Sequence, residues 1–172
     1  ESKTVKITAR AINDVEVTVP ESVFTGEQVR PDVVVSYGSY QFISDSDYTL
    51  SFKDNVNIGT ASVVVTGKNH LSGSRTVTFP REKADISKAS ISANGTYAPD
   101  GVKIGINATF GNYTLKSSDY SFTAPTAAGE QTLTISGNGN FSGKTTVKCN
   151  VAKADIANAK SSLSLSTDGK GY

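Results

Sequence analysis

Apolar and polar residues alternate along most of the chain, in short runs that are separated by polar turns containing glycine. An alternation with a period of two is the pattern of a β-strand that has one buried face. One run places Val33, Val35 and Tyr37 on a common face, and a later run does the same with Ala108 and Phe110. The pattern therefore predicts an all-β fold made of many short strands.

Glycines mark the ends of these strands at matched places. Gly38-Ser39 and Gly111-Asn112 each lie between two strand-like runs. Glycine adopts the positive φ that primed turns require, so both dipeptides predict two-residue β-hairpins. We assign a structural role in turns to six glycines, namely Gly38, Gly67, Gly73, Gly111, Gly137 and Gly143.

The chain also repeats itself. Residues 66–73 (TGKNHLSG) return as residues 136–143 (SGNGNFSG), and residues 83–86 (KADI) return as residues 153–156 at the same spacing. Self-similarity at a fixed interval is the signature of tandem structural units. We therefore predict one unit over residues 1–83 and a second over residues 84–155.

Both ends of the chain carry pieces of the same pattern. Residues 4–7 (TVKI) resemble residues 76–79 (TVTF) and 146–149 (TVKC), which close the two units. We interpret the first of these as a leading strand from a preceding unit. Residues 156–172 are predicted to open a third repeat or to form a C-terminal strand, and we expect the parent protein to continue the array.

Frequent turns and short strands are typical of a compact sandwich, so the predicted fold is two tandem small immunoglobulin-like β-sandwich repeats. A β-grasp-like mixed sheet is the alternative. The single cysteine, Cys149, stands where the first unit has Phe79, which predicts a buried, small apolar side chain. One cysteine also excludes a disulfide within the chain.

Composition and charge exclude several classes of partner. The net charge is +1 with both signs interspersed, so the sequence predicts no nucleic-acid partner. No apolar run approaches the length of about 18 residues that a membrane-spanning helix needs, so we expect no membrane insertion.

Catalytic residues are scarce. His70 is the only histidine, and it lies in a turn where the second unit has Asn140. One histidine and one cysteine cannot supply a typical zinc site, and Gly-x-Ser-x-Gly is absent. We therefore predict a chain that is not an enzyme and has no cofactor.

Asp47 and Asp119 are expected to cap turns through their own backbone. Calcium bound by Asp45, Asp47 and Asp54, with Glu82 and Asp85 near the linker, is the alternative use of the carboxylates.

These motifs resemble the tandem immunoglobulin-like repeats of secreted and cell-wall-attached proteins in gut and oral bacteria. The first unit matches at Phe24-Thr25-Gly26, Pro31, Asp47-Tyr48, Asn55, Asn57, Gly59-Thr60-Ala61, Thr66-Gly67-Lys68-Asn69 and Gly73. The second unit departs from the motifs, because it has Tyr97-Ala98-Pro99 at the first turn and Pro125-Thr126-Ala127 in place of the Asn-rich loop. The resemblance implies an extracellular or cell-surface location and an array architecture, without implying a ligand.

Two functions remain open at this point. The first is a non-catalytic spacer and interaction module, of the kind found in adhesin stalks, whose partners are the neighbouring repeats of the same polypeptide. The alternative is a module that binds a glycan or a host extracellular protein. The candidate ligand-binding residues are Tyr37, Tyr40 and Tyr113, since an aromatic ring beside a hairpin turn can stack on a sugar.

Overall fold

The computed structural model describes residues 8–98 and 100–153, so the predicted leading strand at residues 4–7 and the segment 156–172 lie outside the described residues. The described residues form β-strands and two short 3-10 turns, which confirms the all-β prediction. We call residues 8–83 the first half and residues 84–153 the second half. The first half holds β1 (Arg10–Ala11), β2 (Glu16–Thr18), β3 (Ser22–Val23), β4 (Val34–Tyr37), β5 (Tyr40–Gln41), β6 (Tyr48–Lys53), β7 (Gly59–Gly67), β8 (Leu71–Ser72) and β9 (Ser74–Glu82). The second half holds β10 (Ala84–Asp85), β11 (Ser90–Ala98), β12 (Gly101–Phe110), β13 (Tyr113–Thr114), β14 (Tyr120–Phe122), β15 (Gly129–Gly137), β16 (Phe141–Ser142) and β17 (Lys144–Ala152).

The strands of the first half form three sheets. β3, β9, β7 and β6 lie side by side in one sheet, β2, β4 and β5 form a second sheet, and β1 pairs in parallel with β8. In the second half, β13, β12, β11, β17, β15 and β14 form one continuous sheet, and β10 pairs in parallel with β16. This architecture is consistent with β-sandwich packing.

The same strand pairs recur in both halves, and their register defines equivalent positions. Tyr37 pairs with Tyr40 across one hairpin, as Phe110 pairs with Tyr113 across the other. Leu71 pairs with Arg10 as Phe141 pairs with Ala84. Val23 pairs with Glu82 as Thr96 pairs with Ala152, so the next residues along, Phe24 and Tyr97, are also equivalent.

The halves differ in the segment that follows the 3-10 turn of each half, which is β2 and β3 in the first half and β11 in the second. In the first half β2 pairs with β4 and β3 pairs with β9, and the strand is interrupted between β2 and β3. Pro20 lies in this break, where it cannot donate a backbone hydrogen bond to a ladder. The second half has no proline within Ser90–Ala98, and β11 pairs with both β12 and β17. One unbroken strand therefore joins the two groups of strands into a single sheet.

Alternation along the strands buries one face of each half. Ala61, Val63 and Val65 of β7 are fully buried, with Phe79 of β9 beside them in the first apolar cluster. In the second half Leu133 and Ile135 of β15 take the same places. Their cluster includes Cys149, which is 0% exposed and confirms the prediction of a buried thiol.

Glycine is required at these turns for two different physical reasons. Gly38 and Gly111 have φ angles of 60° and 57°, and each begins the two-residue loop of a hairpin, as the sequence predicted. Gly73 and Gly143 also have positive φ. Gly67 and Gly137 end β7 and β15, where a Cβ on Gly67 would lie 2.7 Å from the backbone of Leu71. The last two glycines therefore permit a close approach of two backbone segments.

Candidate functional site

Phe24 lies in the apolar cluster of the second half, although the chain assigns it to the first half. The chain reaches this place because β3 pairs in parallel with the end of β9, and Phe24 N then donates a hydrogen bond to Glu82 O at 2.9 Å. Beyond this bond the ring extends past the first half and is only 1% exposed. A residue of one half thus completes the core of the other.

Two aromatic rings receive Phe24. The ring of Tyr113 is edge-on at a centroid distance of 5.2 Å and an interplanar angle of 86°, and that of Phe141 is at 5.5 Å and 79°. Edge-to-face pairs of this kind contribute about 0.5–1.5 kcal/mol beyond the burial of their area. Burial of a phenylalanine side chain itself contributes about 1.5–3 kcal/mol. Phe24 therefore couples the two halves energetically.

Backbone and polar contacts surround this ring. Gly26 has a φ of 83°, and a Cβ at this position would overlap the side chain of Tyr113. Ile58 N donates to Asn140 Oδ1 at 3.3 Å, and Asn112 Nδ2 donates to Glu27 Oε1 at 3.1 Å. We call this set of contacts, made by residues 24–27 and 58 with residues 112, 113, 140 and 141, the aromatic junction.

Arg81 fixes the first-half side of the junction. Its side chain is buried, with Nη1 donating to Val23 O at 2.8 Å and Nη2 donating to Val56 O at 2.9 Å. The guanidinium thus ties the strand before Phe24 to the loop before Ile58. Burial lowers the pKa of Arg81, although a guanidinium stays charged at any physiological pH. The equivalent residue of the second half is Val151, which cannot make these bonds.

A buried amide supports the same loop. Asn55 is 2% exposed, and its Nδ2 donates to Val29 O at 2.6 Å while its Oδ1 accepts from Gln28 Nε2 at 3.2 Å. Val29 N donates in turn to Asn55 O at 3.1 Å. These bonds hold the segment that follows Gly26 against the segment that precedes Ile58. The Asn-rich loop of the sequence motif therefore has a structural role at the junction.

The three tyrosines predicted as ligand-binding residues do not form one site. Tyr37 and Tyr40 are neighbours on the first hairpin and are 50% and 54% exposed. The Arg10 guanidinium lies 3.6 Å from the ring centroid of Tyr37, and the ring of Phe42 lies 5.1 Å from that of Tyr40. Tyr113 is part of the aromatic junction instead, where it is half-buried against Phe24.

Two buried carboxylates organise the loops beside the hairpins. Asp47 Oδ2 accepts from Ile43 N at 2.9 Å, and Asp119 Oδ2 accepts from Lys116 N at 2.8 Å, which confirms the predicted capping of turns. Their second partners differ between the halves. Tyr113 Oη donates to Asp119 Oδ2 at 2.8 Å, whereas His70 Nδ1 lies 2.6 Å from Asp47 Oδ1.

The remaining carboxylates show no shared ligand geometry. Among the described residues, no three His, Cys, Asp or Glu side chains are grouped so that they could hold a metal ion. Asp85 instead accepts from Ser87 N at 2.9 Å and caps the 3-10 turn Ile86–Lys88.

None of the helical segments described, over residues 8–98 and 100–153, is long and apolar enough to cross a membrane.

The sequence contained a signal for the junction that alternation alone does not reveal. Phe24 lies outside every strand, directly after Ser22–Val23, and precedes a glycine by two residues. Periodicity identifies residues that face the core of their own unit. A ring that enters the core of a neighbour follows no such period, so Phe24-Thr25-Gly26 could be named from sequence only as a turn motif.

Comparison of the chain with protein-family models, with curated proteins and with solved structures finds no match.

Replacement of Phe24 by alanine should destabilise the second half, because it removes a ring from a packed core. The expected loss in the free energy of unfolding is about 3–5 kcal/mol, as for other buried Phe→Ala changes. Tyr97→Ala is the matched control, since Tyr97 occupies the equivalent place but is 41% exposed. It should cost less than about 1 kcal/mol. Urea unfolding of both variants makes the comparison, and equal losses would show that Phe24 is not a core residue of the second half.

The Asp47 carboxylate predicts a pH dependence of stability. The bond from Ile43 N, followed by that with His70, holds the pKa of Asp47 below its ordinary value of 3.8. A depressed pKa stabilises the fold above the unfolded-state pKa, and this contribution is lost as the pH falls through the folded-state pKa. The difference in the free energy of unfolding between the natural chain and Asp47→Asn should thus be largest near pH 7 and shrink below about pH 4. A difference that stays constant from pH 7 to pH 2.5 would contradict this role.

Proposed function

We propose that this chain is a non-catalytic structural and interaction segment of a larger secreted or cell-surface protein, built from two immunoglobulin-like β-sandwich repeats in tandem. The observation that carries the proposal is the burial of Phe24, which is 1% exposed within the apolar cluster of the second half. Neighbouring domains move relative to each other by default unless a substantial apolar interface joins them. A residue of one half buried in the core of the other contributes an apolar contact of this kind and suits the pair to a spacer.

The connection between the halves supports the same function. Only Lys83 separates β9, which ends at Glu82, from β10, which begins at Ala84. Each flanking residue is held by its own half, since Glu82 O accepts from Phe24 N in the first half and Ala84 N donates to Asn140 O at 3.0 Å in the second. A one-residue linker held in this way lacks the freedom of a flexible, glycine-rich linker. The array gains reach without the conformational entropy of a disordered stalk.

The repeat assignment rests on matched strand pairs and on the sequence motifs together. In both halves the first short strand pairs in parallel with the two-residue strand that follows a long strand, as β1 does with β8 and β10 with β16. The resemblance to bacterial surface-protein repeats adds the immunoglobulin-like class and the extracellular or cell-wall location to the proposal. Neighbouring repeats of the same polypeptide are then the natural partners.

The alternative function, recognition of a glycan or a host protein, remains a prediction from sequence. It assigned binding to Tyr37, Tyr40 and Tyr113. Since Tyr113 lies against Phe24 at 5.2 Å and donates to Asp119, its ring is already engaged. A ligand would thus have only the first-half tyrosines, and the spacer function accounts for more of the observed contacts.

Rotational diffusion tests the spacer function. In the natural chain, ¹⁵N relaxation should give one common rotational correlation time for both halves, because the junction makes them a single body. Phe24→Ala should give each half its own, shorter correlation time, while Tyr97→Ala should leave the common value unchanged. Independent tumbling of the halves in the natural chain would contradict the proposal.

A further inference from the structure

The first half carries an exposed aromatic face at the place where the second half receives Phe24. We define this face by Tyr37, Tyr40, Phe42 and Ile43. Tyr37, Tyr40 and Ile43 are 50%, 54% and 64% exposed. By strand register Tyr37 is the equivalent of Phe110, and Tyr40 of Tyr113. Leu71, a buried residue of the first-half core, is likewise the equivalent of Phe141.

We propose that this face is the receiving side of a second aromatic junction, and that its occupant is the aromatic-x-Gly turn of a preceding repeat in the same polypeptide. The proposal rests on the proposed function as a repeat array. It follows from a direct comparison, since the same positions in the second half are covered by Phe24-Thr25-Gly26. An exposed apolar patch marks an interaction site, and here it lies at the positions that are occupied in the second half.

The polar positions around the face also have the required chemistry. Asn140 and Asn112 accept and donate across the existing junction, and their equivalents on the first half are His70 and Ser39. All four side chains can form hydrogen bonds with a backbone or a side chain of an incoming turn. A groove lined in part by Arg10, Phe42 and His70 runs beside the face. In sequence, residues 4–7 resemble the strands that close each unit, and they come shortly before Arg10 as residues 76–79 come shortly before Ala84.

A second copy of this chain is a poorer occupant than a preceding repeat. The only equivalent turn that a second copy could offer from its second half is Tyr97-Ala98-Pro99. Proline stands there at the position of Gly26, where any Cβ would overlap the receiving tyrosine. Val151 also replaces Arg81, which in the first half holds the strand before Phe24 through Val23 O. The face therefore selects a turn of the Phe-Thr-Gly kind.

The test lengthens the chain by inserting a second copy of residues 10–83 directly ahead of Arg10, so that Lys83 of the added copy precedes Arg10 as it precedes Ala84 in the natural chain. The added copy carries Tyr37→Phe and Tyr40→Phe, so that these two tyrosines occur only in the original copy. The probe is N-acetylimidazole, and mass spectrometry gives the acetylation rate of each tyrosine. Tyr48 of the added copy, whose equivalent is 3% exposed in the natural chain, must be protected to show that the copy is folded.

Acetylation of Tyr40 in the original copy should fall by about fivefold or more on lengthening, as expected for a side chain that becomes covered. Tyr97, which lies far from the added junction in the strand pairing, should keep its rate. Phe24→Ala or Gly26→Ala, introduced only in the added copy, should restore the rate of Tyr40, because the first removes the ring and the second adds a Cβ that collides with the receiving tyrosine. An unchanged rate of Tyr40 with the added copy folded would overturn the inference.

A parallel measurement separates this failure from a failure of the proposed function. In the natural chain, Phe24→Ala should raise the acetylation rate of Tyr113, since Phe24 covers that ring. If Tyr113 does not respond, the aromatic junction itself is absent and the proposed function fails. If Tyr113 responds while Tyr40 of the lengthened chain stays reactive, the junction is real and only the second junction is wrong.

Discussion

The insertion of Phe24 between Tyr113 and Phe141 is the contact on which the arrangement of the two halves depends. Several local features make sense only with this ring in place. The residue two positions after it is glycine because a Cβ there would collide with Tyr113. Burial of the Arg81 guanidinium is unfavourable, and its two hydrogen bonds to backbone carbonyls offset part of this cost. The same bonds hold the segments on both sides of the ring. The junction is therefore a property of several residues, with one aromatic ring at its centre.

The two halves share a strand pattern but differ where they meet a neighbour. The first half places Phe24 in the core of the second half and has the buried Arg81, whereas the second half has Tyr97 and Val151 at the equivalent positions. On the receiving side, Tyr113 is half-buried and donates to Asp119, whereas Tyr40 is exposed and His70 contacts the carboxylate of Asp47 instead. The receiving positions of the second half contact Phe24, whereas the equivalent Tyr40 of the first half is exposed. These differences indicate that the exposure of an aromatic residue depends on contacts between the halves as well as on the strand pattern of its own half.

Sequence patterns predicted the interior of each half well, because alternation and turn chemistry act within a few residues. The hairpins at Gly38 and Gly111, the caps at Asp47 and Asp119 and the burial of Cys149 all follow from such local rules. Three features were not predicted: the junction, the bonds of Arg81 to carbonyls, and the separation of Tyr113 from Tyr40. Each of these depends on contacts between residues that are distant in sequence, which no short-range pattern reports. The break at Pro20 is intermediate, since proline marks a break without saying which sheets its two sides join.

A double-mutant cycle between Phe24 and Tyr113 tests the central claim most directly. It would compare the free energies of unfolding of the natural chain, Phe24→Ala, Tyr113→Ala and the double variant. A pair of rings at 5.2 Å should show a coupling energy of about 0.5–1.5 kcal/mol. The pair of Phe24 with the exposed Tyr40 serves as the reference and should be additive. A coupling energy of zero between Phe24 and Tyr113 would contradict the junction, and with it the account of the chain as a coupled pair of units.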